Sequence, residues 1–411
     1  MRVRTLVATG SLLVTAAAGV SACGDAGTGG GAGGTVPGTT LTIYSSLPFD
    51  PARRQQSQDM VNGEKLALER VGSKVGKLKI KYVSLDDANA SGWEASKVAN
   101  NARRAAKDKT TIAYLGEFHS AASRISMPIL NRSGILQISP TNAYLGLTKK
   151  SARPTEPEEY RPTGNRTYGR VIPADNIQAV AQATYMKQNG VKKLFILHDR
   201  ETYGKSIADE VGKAAKAQGI QVAANEGIDP RAPDYRALAA KIEGSGADAL
   251  FFGGITANNA VKLWDDVSVA NPKLKMFGPD SLTDPPFTET LGKAEKQTYL
   301  TTPTLPQNLY PPAAKEFFSE FESKYKAEPD PYAIYGYEAM SVLLEALKQA
   351  GEKANERQAV VDELFKIKNR ESVLGTYSID PDGDTTLSNY GGNRVEKGKL
   401  VFDKVIKVPA E

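Results

Sequence analysis

The sequence predicts an α/β protein made of two doubly wound parallel-sheet lobes. Three observations carry that prediction. Strand and helix patterns alternate through the body with short joins, the order that yields parallel strands covered by helices on both faces. The alternation stops between Leu145 and Arg170, a stretch rich in Lys, Arg, Pro and Glu, and then resumes. Roughly 390 residues follow the N-terminal leader, too many for one core and suited to two.

The leader comes first. Arg2 and Arg4 form a basic head, Leu6 to Val20 is apolar and uncharged, and Val20-Ser21-Ala22-Cys23 follows. Residues 1–22 read as a secretory signal peptide. Small residues before the cut and a thiol just after it resemble the lipobox of bacterial lipoproteins, in which the cysteine carries the lipid. Cys23 is the only cysteine of the chain, so disulfides within the body are excluded. The apolar run is shorter than the ~20 residues a bilayer span needs. Residues 24–40 are nearly all Gly, Thr and Ala, a composition that cannot bury enough apolar surface to fold. Residues 23–40 are therefore expected to form a lipidated, flexible tether.

The body follows in order. Leu41–Ser45 reads as a strand, Met60–Val71 as an amphipathic helix, Leu78–Leu85 as an alternating strand and Trp93–Lys107 as a helix. Thr111–Leu115, Ala121–Asn131 and Ile135–Ser139 continue as strand, helix, strand. After the interruption, helices at Ile177–Gln188, Tyr203–Gln218, Asp234–Glu243 and Asn258–Val267 alternate with strands at Lys193–Leu197, Ile220–Ala224, Ala249–Gly253 and Lys275–Phe277. Thr302–Pro312 is proline-rich. Helices at Ala314–Tyr325, Ala333–Ala350 and Glu356–Phe365 then lead to two hairpin strands, Gly375–Ile379 and Leu400–Ile406. Ligands of such sheets sit beyond the carboxyl ends of the strands, so the cleft between the lobes is where a site is expected.

The strand ends carry a resemblance. Leu115-Gly116-Glu117-Phe118-His119-Ser120, Gly134 to Pro140, Arg170 to Asp175, His198-Asp199 with Tyr203-Gly204, Gly246-Ala247-Asp248, Phe277-Gly278-Pro279-Asp280 and Tyr335 to Ala339 stand in one order. Together they resemble the branched-chain amino-acid-binding proteins of ABC importers, over roughly residues 41–406. The resemblance implies a type I periplasmic-binding-protein clamshell whose lobes are joined by a multi-strand hinge. Lobe 1 is expected at 41–170 with about 305–370, and lobe 2 at 171–304 with about 371–411.

Ser120 follows a strand and opens a helix, where free N–H groups and the helix dipole attract an anion. The same spacing also suits an ordinary N-cap serine. In the family the matching serine grips the ligand's carboxylate, and the residue matching Asp280 holds its ammonium. A turn-capping role for Asp280 stays open. Tyr203 matches an aromatic packed against the ligand. Where the family has a threonine this chain has Ala143 and lacks the hydroxyl; either Thr141 or Asn142 substitutes for it, or the ligand differs from a simple α-amino acid. Ile255 and Thr256 stand where the family often has a tyrosine, with Thr256 as a candidate contact. Phe118, His119 and Tyr332 are candidates to line the site, with a place in the core or at the rim as the alternative for each.

Composition narrows the classes further. The formal charge is +5, or +3 without Arg2 and Arg4, too mild and too evenly spread to argue for nucleic acid. Asp380-Pro381-Asp382-Gly383-Asp384 resembles part of a calcium loop, but Gly391 stands where the twelfth-position acid should be, and a β-turn is the better reading. With only two histidines, His119 and His198, no His-rich zinc site is available. No nucleophile motif or P-loop is present. The expectation is a non-enzymatic, cofactor-free solute-binding lipoprotein outside the cytoplasm, anchored to the bacterial membrane through Cys23. It would deliver an amino acid or related small solute to an ABC permease, as a monomer. The alternative is a ligand sensor partnering a separate signalling protein.

Overall fold

Two largely parallel sheets organise residues 34–409, the part of the chain that the computed structural model describes. The signal peptide and Cys23 lie outside the described residues. In the first sheet the strands run in the order Lys74–Val75, Leu78–Asp86, Thr40–Leu47, Thr111–Leu115, Leu136–Ser139, Tyr168–Arg170. All neighbours are parallel except the two-residue edge. Thr111–Leu115 and Leu136–Ser139 are buried at every position, as strands covered on both faces should be. Leu78–Asp86 lies next to the edge and exposes alternate side chains, which is why it alternates in sequence.

The second sheet runs Gln221–Gly227, Lys193–His198, Ala249–Gly253, Lys275–Gly278, Thr298–Thr302, Asn389–Glu396, Lys399–Lys407. Its first five strands are parallel and its last two antiparallel. One apolar core lies beneath helices Asp175–Gln188 and Thr202–Ala217, and another holds Phe252, Trp264 and Phe287.

Helices Arg54–Arg70 and Ala333–Ala350 pack together against the first sheet. Glycines let their backbones touch. A Cβ on Gly63 would stand 2.3 Å from the Ala333 carbonyl oxygen, and one on Gly336 would stand 2.3 Å from that of Met60. The first of these helices begins at Arg54, six residues before the expected Met60. Its opening turn is polar in sequence but not free: Ser57 Oγ donates to Pro48 O at 2.5 Å, and Asp59 Oδ2 accepts from Asp330 N at 3.0 Å.

Three expectations need correction. The tether ends earlier than residue 40. Val36 is fully buried, its N–H donates to Asn355 O at 2.7 Å, and Thr35 bridges to Glu356. One apolar side chain with a receptive backbone partner anchors a segment whose composition reads as coil. The C-terminal division also moves. Val373, Leu374, Tyr377 and Ile379 belong to the first core, and Tyr390 to a core of the second sheet. The hairpin strands are paired differently from the expectation: Gly375–Tyr377 pairs with Arg370–Ser372, and Lys399–Lys407 pairs with Asn389–Glu396. Sheet and core membership thus places three crossings between the halves, after Arg170, after Thr302, and between Ile379 and Tyr390.

Asp380 to Asp384 forms a closed turn, with Gly383 N donating to Asp380 O and Asp380 N to Asp384 O. Its carboxylates meet cations: Lys149 reaches Asp380 at 3.0 Å and Arg170 reaches Asp384 at 2.8 Å.

Glu64 is buried in the first core, where Tyr82 OH donates to Oε2 and Oε1 has no donor among the described residues. Burial pushes its carboxyl up to about 7. A native acid raised above its unfolded value binds the proton more tightly when folded, so its stabilising protonated form is lost as pH rises from about 4.5 through 7. At 1.36 kcal/mol per pKa unit, stability should fall by roughly 3 kcal/mol across that window from this residue. Urea unfolding at pH 5 and pH 8 should show Glu64→Gln narrowing the wild-type difference by about that amount.

Candidate functional site

Strand ends from both sheets converge on a cleft. Its inner part is a cavity of about 70 Å³ lined by Arg53, Gln56, Phe118, His119, Ser120, Thr141, Ala143, Tyr203, Ile255, Asp280, Ser281 and Tyr332. Arg53, His119, Ser120, Tyr203 and Ile255 also border an outer chamber of about 400 Å³, which adds Trp93, Thr256 and Asp284.

Asp280 lies in a short 3-10 turn after Lys275–Gly278, and its carboxylate does not cap that turn. Gln178 Nε2 donates to Oδ1 at 2.8 Å, Tyr203 OH to Oδ1 at 2.9 Å and Tyr332 OH to Oδ2 at 2.5 Å. All three donors are neutral groups, an amide and two phenols. Tyr332 belongs to the segment packed on the first sheet, so this last bond joins the lobes. Two more contacts do the same. Arg53 Nη2 lies 3.2 Å from Asp284 Oδ2, and Arg124 Nη1 donates to Thr202 Oγ1 at 2.9 Å. Close to Asp280, burial pushes the Asp175 carboxyl up to about 7.

Ser120 opens helix Ser120–Asn131, where His119, not Ser120, is the N-cap. Ala122 and Ser123 N–H donate to His119 O, while the N–H groups of Ser120 and Ala121 find no acceptor among the described residues. Free donors at the positive end of a three-turn helix suit an anion. Ser120 Oγ accepts from Tyr144 N at 3.4 Å. Facing this helix start, Asp280 gives the cavity one anion-attracting wall and one cation-attracting wall.

The other expected residues divide. Thr141 lines the inner cavity, but its hydroxyl donates to Phe118 O at 2.9 Å. Asn142 is a correction. It is fully buried and lines neither space; Nδ2 donates to Ser123 Oγ and its N–H to Ser139 Oγ at 2.9 Å. The turn after the strand spends this amide on holding the loop. Thr256 borders only the outer chamber and donates to Asp284 Oδ1 at 2.7 Å. His119 stands between Trp93 and Phe118, with ring centroids 6.1 and 4.9 Å away. Burial and the nearby Arg53 charge push its imidazole down to about 3, so it presents a neutral wall.

Sequence reasoning missed Arg53, Gln56, Trp93, Gln178, Ser281 and Asp284. Arg53 had a readable signal, because it lies just beyond the carboxyl end of the first strand, where ligands of such sheets gather. Gln178 had none, since a helix glutamine reads as surface.

Removing the Tyr332 hydroxyl should leave Asp280 Oδ2 without its cross-lobe donor. A hydrogen bond to a charged group contributes about 1.5–3 kcal/mol. Tyr332→Phe should therefore shift the protein without added ligand toward a more open form, seen as a larger radius of gyration in small-angle X-ray scattering. An unchanged radius would show that closure does not depend on this bond.

The sequence family model described as "Periplasmic binding protein" matches residues 51–399. A leucine-, isoleucine-, valine-, threonine- and alanine-binding protein of Pseudomonas aeruginosa is 24% identical over 277 residues, 67% of this chain and 69% of that one. Among solved structures, the leucine-binding protein LivK of Thermotoga maritima superposes with a TM-score of 0.76 at 24% identity, covering 89% of this chain and 99% of that one. A solute-binding protein of an ABC transporter from R. palustris, in complex with benzoate, gives 0.72 at 20% identity, covering 90% and 97%. With its two-lobed α/β fold and a cleft between the sheets, this chain belongs to the periplasmic binding protein family, whose members bind solutes and are not enzymes.

Proposed function

We propose that this protein captures an amino acid or closely related zwitterion between its lobes, outside the cytoplasm, and delivers it to an ABC importer permease. One observation carries the reading: a cavity closed between two lobes sets the Asp280 carboxylate on one side and the free N–H groups at Ser120 on the other. The ammonium would join the donors around Asp280, and the carboxylate would take the helix start together with the Ser120 hydroxyl. Phe118, neutral His119, Ala143 and Ile255 would cover the rest. The names of similar proteins, several of them binders of leucine, isoleucine or valine, support the same class.

The mechanism needs no covalent chemistry. Three chain crossings form the hinge, and the solute shifts the balance toward closure because it touches both lobes only when they are closed. Micromolar affinity, about −8 kcal/mol, is within reach of a few charge-assisted bonds and a buried side chain. In this reading Cys23 carries the lipid that holds the protein at the membrane.

Thermal unfolding tests the ligand. Protein beginning at Gly24, refolded to strip carried-over solute, should be stabilised by about 2.7 kcal/mol at a hundredfold excess over Kd, a shift of a few degrees. Asp280→Ala should abolish the response to amine-bearing ligands. A response confined to ligands without an amine would show that Asp280 does not hold an ammonium. For the anchor, Cys23→Ser should end incorporation of labelled fatty acid and release the protein from the membrane fraction. Persistent labelling would refute lipidation at that thiol.

A further inference from the structure

A zwitterion's two ends account for Asp280 and the helix start at Ser120, and they leave Arg53 unused. Arg53 borders both the inner cavity and the outer chamber. Its side chain is only 12% exposed. A guanidinium carries five N–H donors in a rigid fork. Nη1 donates to Gln56 Oε1 at 3.3 Å and Nη2 meets Asp284 Oδ2 at 3.2 Å. Among the described residues no acceptor stands against the remaining donors. Asp284 has little left to offer them, since its Oδ1 already accepts from Thr256 Oγ1 at 2.7 Å and Phe287 N at 3.2 Å. On its other side the guanidinium lies 5.6 Å from the centre of the Phe118 ring, which has no lone pair to give. An under-used fork, largely withdrawn from water, therefore borders the space a bound solute would fill.

Position determines which part of the solute it would meet. The inner cavity, about 70 Å³, is much smaller than the outer chamber of about 400 Å³ beyond their shared wall. Whatever extends beyond the zwitterionic head must pass the shared wall into the outer chamber, and Arg53 is on that wall. Charge determines the kind of group. Asp284 already balances the guanidinium, so a second carboxylate would crowd against Asp284 Oδ2, whereas a neutral oxygen accepts the spare N–H groups without that repulsion.

The geometry points to Arg53 as a specificity-determining residue. Resting on the amino-acid reading above, it selects a solute whose far end carries an uncharged hydrogen-bond acceptor, a carboxamide or a peptide carbonyl. The discrimination comes from the analogue that lacks the acceptor. It would cover the donors and leave them unpaired, and sites built around buried donors reject such analogues far more strongly than apolar pockets reject a change of size.

Isothermal titration with L-glutamine, L-methionine and L-glutamate tests this on the wild-type protein, Arg53→Met and Arg53→Lys. Methionine matches glutamine in length and lacks the amide; glutamate replaces the amide with a charge. Wild type should bind glutamine at least tenfold more tightly than either. Arg53→Met should bring glutamine and methionine to within about threefold, and Arg53→Lys should keep part of the preference. Thermal melts establish that each variant is folded, and if Arg53→Met is not, the wild-type ratios and Arg53→Lys decide. Methionine binding wild type as tightly as glutamine does, with that binding lost in Asp280→Ala, would overturn the role of Arg53 and leave the amino-acid reading intact. A glutamine preference that survives Arg53→Met would do the same. If none of the three binds wild type, the role of Arg53 falls, and the thermal response to leucine, isoleucine and valine decides the amino-acid reading separately.

Discussion

Arg170 is a charge with no access to water, and the arrangement of the hinge and the site loop follows from satisfying it. Its side chain is fully buried. Nε donates to Asp384 Oδ1 at 2.8 Å, Nη1 to the carbonyls of Asn142 and Tyr144 at 3.0 and 2.8 Å, and Nη2 to Thr148 Oγ1 at 2.7 Å. A buried guanidinium is tolerable only when such partners are in place, and removing one partner typically costs several kcal/mol. Those partners come from separate parts of the chain. Asn142 and Tyr144 belong to the loop that carries Thr141 and Ala143 into the cavity, and Asp384 lies on the third crossing between lobes. Arg170 itself ends the last strand of the first sheet, where the first crossing begins. Backbone bonds reinforce the knot, with Arg170 N donating to Gly383 O and Asp175 N to Ala143 O. Site loop and hinge are therefore one mechanical unit.

The cleft follows a different rule. Its charged groups are under-neutralised. Asp280 is surrounded by an amide and two phenols, and no cation pairs with it among the described residues. That carboxylate meets the small space without a neutralising partner. At the opposite wall the helix start offers N–H groups with no internal partner, the positive counterpart of that charge. Between them His119 is held neutral, and the Arg53 guanidinium on the cavity wall is paired with Asp284. A zwitterion fits that distribution better than any ion of one sign.

Fold and ligand specificity are separable in this family. Structures of this architecture are described with leucine and with benzoate, so the scaffold alone does not name the solute. Specificity resides in a few side chains on loops after strands. In this chain Ala143 and Ile255 line the inner cavity, and Arg53 adds a cation to its wall. The net effect is a cavity with an apolar middle and hydrogen-bonding groups at its ends.

By itself the sequence determined the alternation of strand and helix, the two-lobe division and the strand-end segments that build the cleft. These depend on local periodicity and on turn residues, which any reader of the chain can see. The family resemblance named Ser120, Tyr203 and Asp280, and the reading of the residues beside them named Phe118, His119 and Tyr332; all six border one cavity. Only the tertiary structure decided what rests on contacts between distant segments. The amide of Asn142 turns inward to Ser123. Val36 leaves the apparent coil for a pocket beside Asn355, and the polar first turn at Arg54–Asp59 becomes helix under the Asp330 loop. Arg53 faces the cleft instead of solvent. Each of these is a choice between water and a partner far along the chain. Local composition carries no record of which partner the fold will bring within 3 Å.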